Sequence, residues 1–133
     1  MICSRDFPAR LLKVKDPLES LPKISREYGC KLSSVTLGAG GVLAWDGNRF
    51  HYSPAFRVDA VDTTGAGDIF HAGFMFGLAR RWDLDKILEF ACAAAGLNCT
   101  APGARGGIRP LSEIASLIQA GDRHAALYDI AEL

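Results

Sequence analysis

The stretch Val61-Asp62-Thr63-Thr64-Gly65-Ala66-Gly67-Asp68-Ile69-Phe70-His71-Ala72-Gly73 holds the residues best suited to chemistry. Two glycines let a backbone run close to a ligand with successive N–H groups turned toward it. The start of a helix adds the positive end of its dipole, so an anion could be held without a lysine. Asp68 falls in the first turn of that helix, where a carboxylate can take a proton from an attacking hydroxyl. The amides of residues 65 to 68 can then stabilise charge spreading over a leaving phosphate. Taken alone, Gly-x-Gly-Asp is better read as a tight turn followed by a capping aspartate.

Other phosphate motifs fit poorly. Neither glycine cluster, 38–41 or 65–67, is followed by Lys-Ser or Lys-Thr, which excludes a Walker A loop. Gly38-x-Gly40 and Gly65-x-Gly67 both lack the third glycine of a dinucleotide fingerprint.

The elements that must carry this stretch are legible around it. Asp16-Pro17-Leu18-Glu19 is a helix start, and Gly29 is its stop. Pro22 argues for a kink or a later start in that helix. Leu32 to Leu37 reads as a strand running into Gly38-Ala39-Gly40-Gly41. Asp46-Gly47-Asn48 is a hairpin turn between strands 42–45 and 49–53. A helix from the Gly65 region to about Arg80 follows, with Ala72, Gly73 and Gly77 small enough for close packing. The next helix starts near Asp83, with Leu84, Ile87, Leu88, Ala91, Cys92 and Ala95 on a buried face. A third opens at Pro110, turns Leu111, Ile114, Leu117 and Ile118 inward, and ends at Gly121. Strands mixed with helices mean an α/β fold in a single domain over residues 1–133, with strand order left open.

Composition narrows the partners. Hydrophobic residues make up 49% of the 133 residues and charged ones 23%, an ordinary globular balance. Fifteen basic side chains face fifteen acidic ones, so no long-range field gathers nucleic acid or an anionic membrane. Any phosphate must be held by local geometry. No apolar run approaches the roughly 18 residues of a membrane span, and Met1 to Asp6 has no signal pattern. Cys3, Cys30, Cys92 and Cys99 form no CxxC pair and have no histidines at ligand spacing, which points to reduced thiols in a cytoplasmic setting. Cys92 and Cys99, seven apart, would share one helix face as core residues. His51, His124, Trp45 and Trp82 read as strand or surface residues without a partner motif.

The ordered run Asp62-Thr63-Thr64-Gly65-Ala66-Gly67-Asp68, followed by Ala72-Gly73, resembles the C-terminal signature of the ribokinase-type (phosphofructokinase-B-type) carbohydrate kinases. Thr36 to Gly41 resembles the strand-then-glycine segment lining that family's ATP site. Ala93-Ala94-Ala95 and the loop Thr100 to Gly107 resemble the helix and loop that close it. The resemblance covers roughly residues 2 to 120. It implies the C-terminal part of a three-layer α/β/α sandwich, with the lid and the N-terminal half that shapes the sugar pocket absent from these residues.

By that resemblance the reaction is ATP-dependent phosphorylation of a sugar-like hydroxyl. Asp68 is the general base, Gly65, Ala66 and Gly67 form the anion hole, and Thr36, Gly38, Gly41 and Ala95 border the nucleotide. Family members often hold a monovalent cation such as K⁺ beside the anion hole. Asp62 and Thr64 match two ligand positions, and carbonyls near Asn98, Ala101 and Gly103 complete the set. Read by itself, Asp62 fits an Asx turn as well. The Asn-x-x-Glu that many members place near Mg²⁺ has no counterpart, because Ser4-Arg5-Asp6-Phe7 carries neither ligand type in place. Mg²⁺ is then expected on the ATP phosphates and water. His71 is read as a helix-packing residue and Arg105 as either an anion contact or a solvated loop arginine. Besides the kinase reading stand a truncated nucleotide-binding module without turnover and an oligomerisation fragment. Self-association, or pairing with a complementary N-terminal segment, is expected in each case.

Overall fold

A computed structural model describes residues 1–133. Four strands form one mixed sheet in the order β1-β2-β3-β4: β1 (Ile2–Ser4), β2 (Ser33–Thr36), β3 (Val42–Trp45) and β4 (Phe50–Ser53). β1 pairs parallel with β2, with Cys3 opposite Val35, and the remaining pairs are antiparallel. Helices α1 (Phe7–Leu12) and α2 (Pro17–Tyr28) follow β1, and α3 (Ala66–Ala79), α4 (Leu84–Asn98) and α5 (Leu111–Ala120) follow β4.

Strand periodicity separates two cores. Leu43 packs with Val35, Leu37 and Leu21 of α2 on one face. Val42 and Ala44, its neighbours on β3, join Phe70, Phe74, Ile87, Leu88 and Ala91 on the other. The sheet is therefore covered on both faces, by α2 on one and by the α3–α4 pair on the other, which is the three-layer arrangement expected from the sequence.

The hairpin forms because Gly47 adopts φ 98°, while Asp46 Oδ1 accepts from the amides of Asn48 and Arg49, each at 2.8 Å. Asp16 caps α2 through the Leu18 amide, and Asp83 caps α4 through the Lys86 amide. Small residues let α3 lie close on α4: a Cβ on Gly73 would come within 3.0 Å of Ala91 Cα.

Three sequence expectations are corrected. Pro22 neither breaks α2 nor delays its start, and the helix runs uninterrupted from Pro17 to Tyr28. A proline inside a helix costs about 3 kcal/mol, whereas fully burying Leu21 and Ile24 contributes about 1.5–3 kcal/mol each. Leu111, expected inward, is half exposed because the burial of α5 is concentrated at Ile114. His51 lies on strand β4, as one of its two readings had it, but it is not without partners. It is buried between two carboxylates, with Nδ1 2.7 Å from Asp85 Oδ1 and Nε2 2.9 Å from Asp46 Oδ2, and so ties the hairpin to the start of α4. Burial opposes ionisation of Asp46, but the Arg49 and Asn48 amides and His51 outweigh it and lower its pKa to about 2.

Candidate functional site

The start of α3 is built by local backbone chemistry. Gly65, the residue before its first turn, sits at φ 76°, and a Cβ there would come within 2.5 Å of the Ala104 carbonyl oxygen. The fold itself therefore demands glycine at 65. Gly67 differs: its φ is not positive, and nothing lies within 4 Å of where its Cβ would be. Nothing in the fold needs glycine at 67, so the open space over this residue is free for a ligand.

The Ala66 amide donates to the Thr63 carbonyl at 3.1 Å, whereas the amides of Gly65, Gly67 and Asp68 have no partner within the chain. Those three N–H groups, together with the helix dipole, form an end of the site that could receive an anion. Asp68 is exposed in the first turn of α3, and its carboxylate has no hydrogen bond within the chain. One turn on, His71 Nδ1 bonds the Gly67 carbonyl at 2.7 Å, so this ring leans on its own helix while remaining exposed.

Beside these amides opens a cavity of about 400 Å³. Thr36, Gly38 and Gly41 line it from the strand-and-turn side, Ala95 from α4, and Ala66 and Gly67 from the head of α3. The sequence-matched nucleotide positions and the glycine segment thus meet in one space. Gly65 and Asp68 are not in its wall and stand at its edge through their neighbours Ala66 and Gly67.

Most of the remaining wall was not legible beforehand. Phe56, Val58, Cys92, Gly96, Cys99 and His124 form much of it. Burial pushes the Cys92 thiol up to about 12 and also raises Cys99, so both behave as apolar wall rather than as nucleophiles. Arg5 also went unassigned: its Nη2 donates to the Leu37 carbonyl at 2.8 Å and holds the approach to the glycine turn. Arg105 is exposed on its loop.

Beside the free amides at the head of α3, loops 61–64 and 99–107 are sewn together. Asp62 Oδ1 accepts from the Thr64 amide and Oδ2 from the Gly103 amide, both at 2.8 Å. The first bond is the Asx turn that the position of Asp62 also allowed. Hydrogen bonds from Thr64 and Gly103 hold the Asp62 carboxyl below its usual range. Asn98 is fully buried, and its Nδ2 donates to the carbonyls of Ala104 at 3.1 Å and Thr64 at 3.4 Å. Its Oδ1 has no partner at all, an uncommon state for a buried polar atom. Asp62, Thr64, Asn98 and Gly103 are thereby joined in one bonded cluster, while Ala101 takes no part in these bonds.

Comparison with known proteins places this geometry. The model of the pfkB family carbohydrate kinases matches residues 9–110. Ribokinase of Lactococcus lactis is 39% identical over 98 residues, which cover 74% of this chain and 32% of that protein. Aminoimidazole riboside kinase from Salmonella enterica, solved with aminoimidazole riboside and an ATP analogue, superposes with a TM-score of 0.78 at 31% identity, over 88% of this chain and 41% of that one. A ribokinase-type protein of E. coli, solved with ATP and Mg²⁺, gives a TM-score of 0.82 at 27% identity, over 89% and 38%. The chain spans about a third of the length of the curated relatives it matches. No helix is long and apolar enough to cross a membrane. With the family model matched from Ala9 to Pro110, and with the signature glycines and Asp68 at the head of a helix beside the cavity, the chain belongs to the pfkB family carbohydrate kinases.

Proposed function

We propose that the chain forms the nucleotide side, and supplies the base, of an ATP-dependent phosphotransferase acting on a hydroxyl of a sugar or sugar-like substrate. The observation that carries this reading is the meeting of Thr36, Gly38, Gly41 and Ala95 with Ala66 and Gly67 around one cavity, at the free amides of a helix start. ATP lies in the cavity with its terminal phosphates on the amides of Gly65, Gly67 and Asp68. Asp68 takes the proton of the acceptor hydroxyl as it attacks. The same amides stabilise charge that develops as the bond to the leaving phosphate lengthens.

No group of three or more His, Cys, Asp or Glu side chains is placed to hold a metal ion. Mg²⁺ accordingly fits on the nucleotide phosphates with its own water, where it neutralises their charge. For a monovalent cation the fit is better. The buried, unpartnered Asn98 Oδ1 and the Asp62 carboxylate offer oxygens in one cluster with Thr64, and by the family resemblance carbonyls near Asn98, Ala101 and Gly103 would complete the set. Such an ion would organise the two loops behind the anion-binding amides. Potassium is expected to tighten ATP binding relative to an equal concentration of tetramethylammonium in titration calorimetry. Equal affinities in the two salts would remove the cation from this reading.

Gly67 provides the test of the nucleotide site. In Gly67→Ala the new methyl meets open space and improves helix propensity, so the fold should gain roughly 0.5–1 kcal/mol. The same methyl occupies the approach to the amides, and ATP affinity should fall about tenfold, which is roughly 1.4 kcal/mol. Thermal melting and calorimetry on wild type and variant read both effects. Absence of ATP binding by folded wild type at millimolar nucleotide, or unchanged affinity in the variant, would count against the assignment. A second reading is a nucleotide-binding module without turnover; ATP binding with no phosphate transfer selects it.

A further inference from the structure

Residues 121–133 lie beyond the segment matched by the family model, yet they fold back onto the cavity. Arg123 forms an isolated antiparallel bridge with Phe56 and lays its guanidinium over the Phe56 ring, 3.7 Å from the centroid. Its Nη1 bonds Ser53 Oγ at 3.2 Å and the Pro54 carbonyl at 3.0 Å, and its Nη2 pairs with Glu89 of α4. The next residue, His124, donates its amide to the Ala55 carbonyl at 2.9 Å and lines the cavity. Further on, the Tyr52 hydroxyl donates to the Gly40 carbonyl at 2.8 Å and accepts from the Leu127 amide at 3.0 Å. Leu127 rests directly on Gly40, where a Cβ would meet its Cδ1 at 2.5 Å. The segment is thus anchored both to the wall of the cavity and to its glycine turn.

Helix α4 acts as a ruler for which end His124 occupies. Cys92 and Cys99 both line the cavity, seven residues apart, which is about 10 Å along a helix. Cys99 sits at the anion-binding end, where its carbonyl accepts the amides of Val61 and Asp62. Cys92 sits at the other end, its thiol against the Ser53 carbonyl, where Arg123 also bonds. His124 belongs with Arg123, Ala55 and Phe56 to this remote end. The wall there is largely apolar, with Phe56, Val58 and Cys92, and the imidazole is the one side chain in the lining that offers ring nitrogens. A pocket of this kind orients its ligand through a few polar groups set in apolar surface.

We infer that His124 is a base-contacting residue of the nucleotide site, and that segment 121–133 positions it. This inference rests on the ATP reading above and adds a specificity residue to it. With the phosphates on the amides of α3, the purine lies between Phe56 and the glycine turn, and the His124 ring bonds its edge. The Tyr52–Leu127 link keeps turn and segment in register.

The experiment compares ATP with inorganic tripolyphosphate, which has the phosphates but no base. In the wild type, ATP should bind more tightly than tripolyphosphate. His124→Ala should weaken ATP about tenfold, the worth of roughly one lost hydrogen bond and its packing, while leaving tripolyphosphate affinity unchanged. His124→Gln, which keeps a polar atom, should recover part of the loss. Unchanged tripolyphosphate binding also shows that each variant is folded. Equal ATP affinity in wild type and His124→Ala would overturn the role of His124 and leave the ATP reading standing. A wild type that binds neither ligand would overturn both.

Discussion

In a chain carrying the upstream part of a complete relative, Asp68→Asn lowers sugar phosphorylation by about 10²–10⁴-fold, the usual contribution of a general base. ATP affinity in the same variant stays within about twofold, because asparagine keeps the shape and the nucleotide meets backbone amides rather than this carboxylate. Both halves of this expectation come from placement. Asp68 lies in the first turn of α3, with Gly67 before it in the cavity wall and no partner on its own carboxylate. In the proposed reaction it is therefore free to accept a proton while its unpartnered backbone N–H is open to an anion. Steady-state rates with a coupled ADP assay, read beside calorimetric ATP binding, separate the two effects. Near-normal turnover would remove Asp68 as the base, and a parallel loss of ATP binding would show that the carboxylate acts on the nucleotide instead.

The 133-residue chain alone should behave differently: no sugar phosphorylation above background, and an apparent mass larger than a monomer by light scattering. Phosphoryl transfer depends on holding the acceptor in line with the γ-phosphate, and positioning of this kind can supply about 7–11 kcal/mol of barrier lowering. Asp68 here faces open solvent. On α3 it begins a stripe with His71, Met75 and Leu78, residues spaced three and four apart on one exposed face. Met75 is 62% exposed and Leu78 47%, so this face leaves apolar side chains in water. β1 adds an edge strand paired only to β2. A second copy, or a complementary segment supplied in trans, would cover these surfaces. A monomer that phosphorylates a sugar robustly would overturn this expectation and the need for an upstream half.

Where the determinants are local, the reading from sequence and the fold agree. The Asp46-Gly47 turn, the cap at Asp83 and the stop at Gly29 each depend on a few adjacent residues, and each lies where its residue types require. Pro22 shows the limit of the same reasoning: a local preference gave way to the burial of its neighbours Leu21 and Ile24, and the partners of Leu21 on β2 and β3 are distant in sequence. His51 shows it again, since one of its two carboxylates, Asp85, lies 34 residues away.

The candidate site divides along the same line. Gly65, Gly67 and Asp68 could be put forward from sequence because they fall in one short run that resembles the family signature, and the positive φ, open approach and first-turn carboxylate found there are properties of one short stretch of backbone. Only the tertiary structure decided what faces them. The wall made by Phe56 and His124, the clamp of Tyr52 on Gly40 and Leu127, and the orphaned Asn98 oxygen behind Thr64 exist only once separate segments pack together. Tyr52 and Leu127 stand 75 residues apart, and nothing in either residue's neighbours encodes the other. Backbone conformation is set by the few residues that carry it, whereas a cavity is set by which surfaces the buried core brings together.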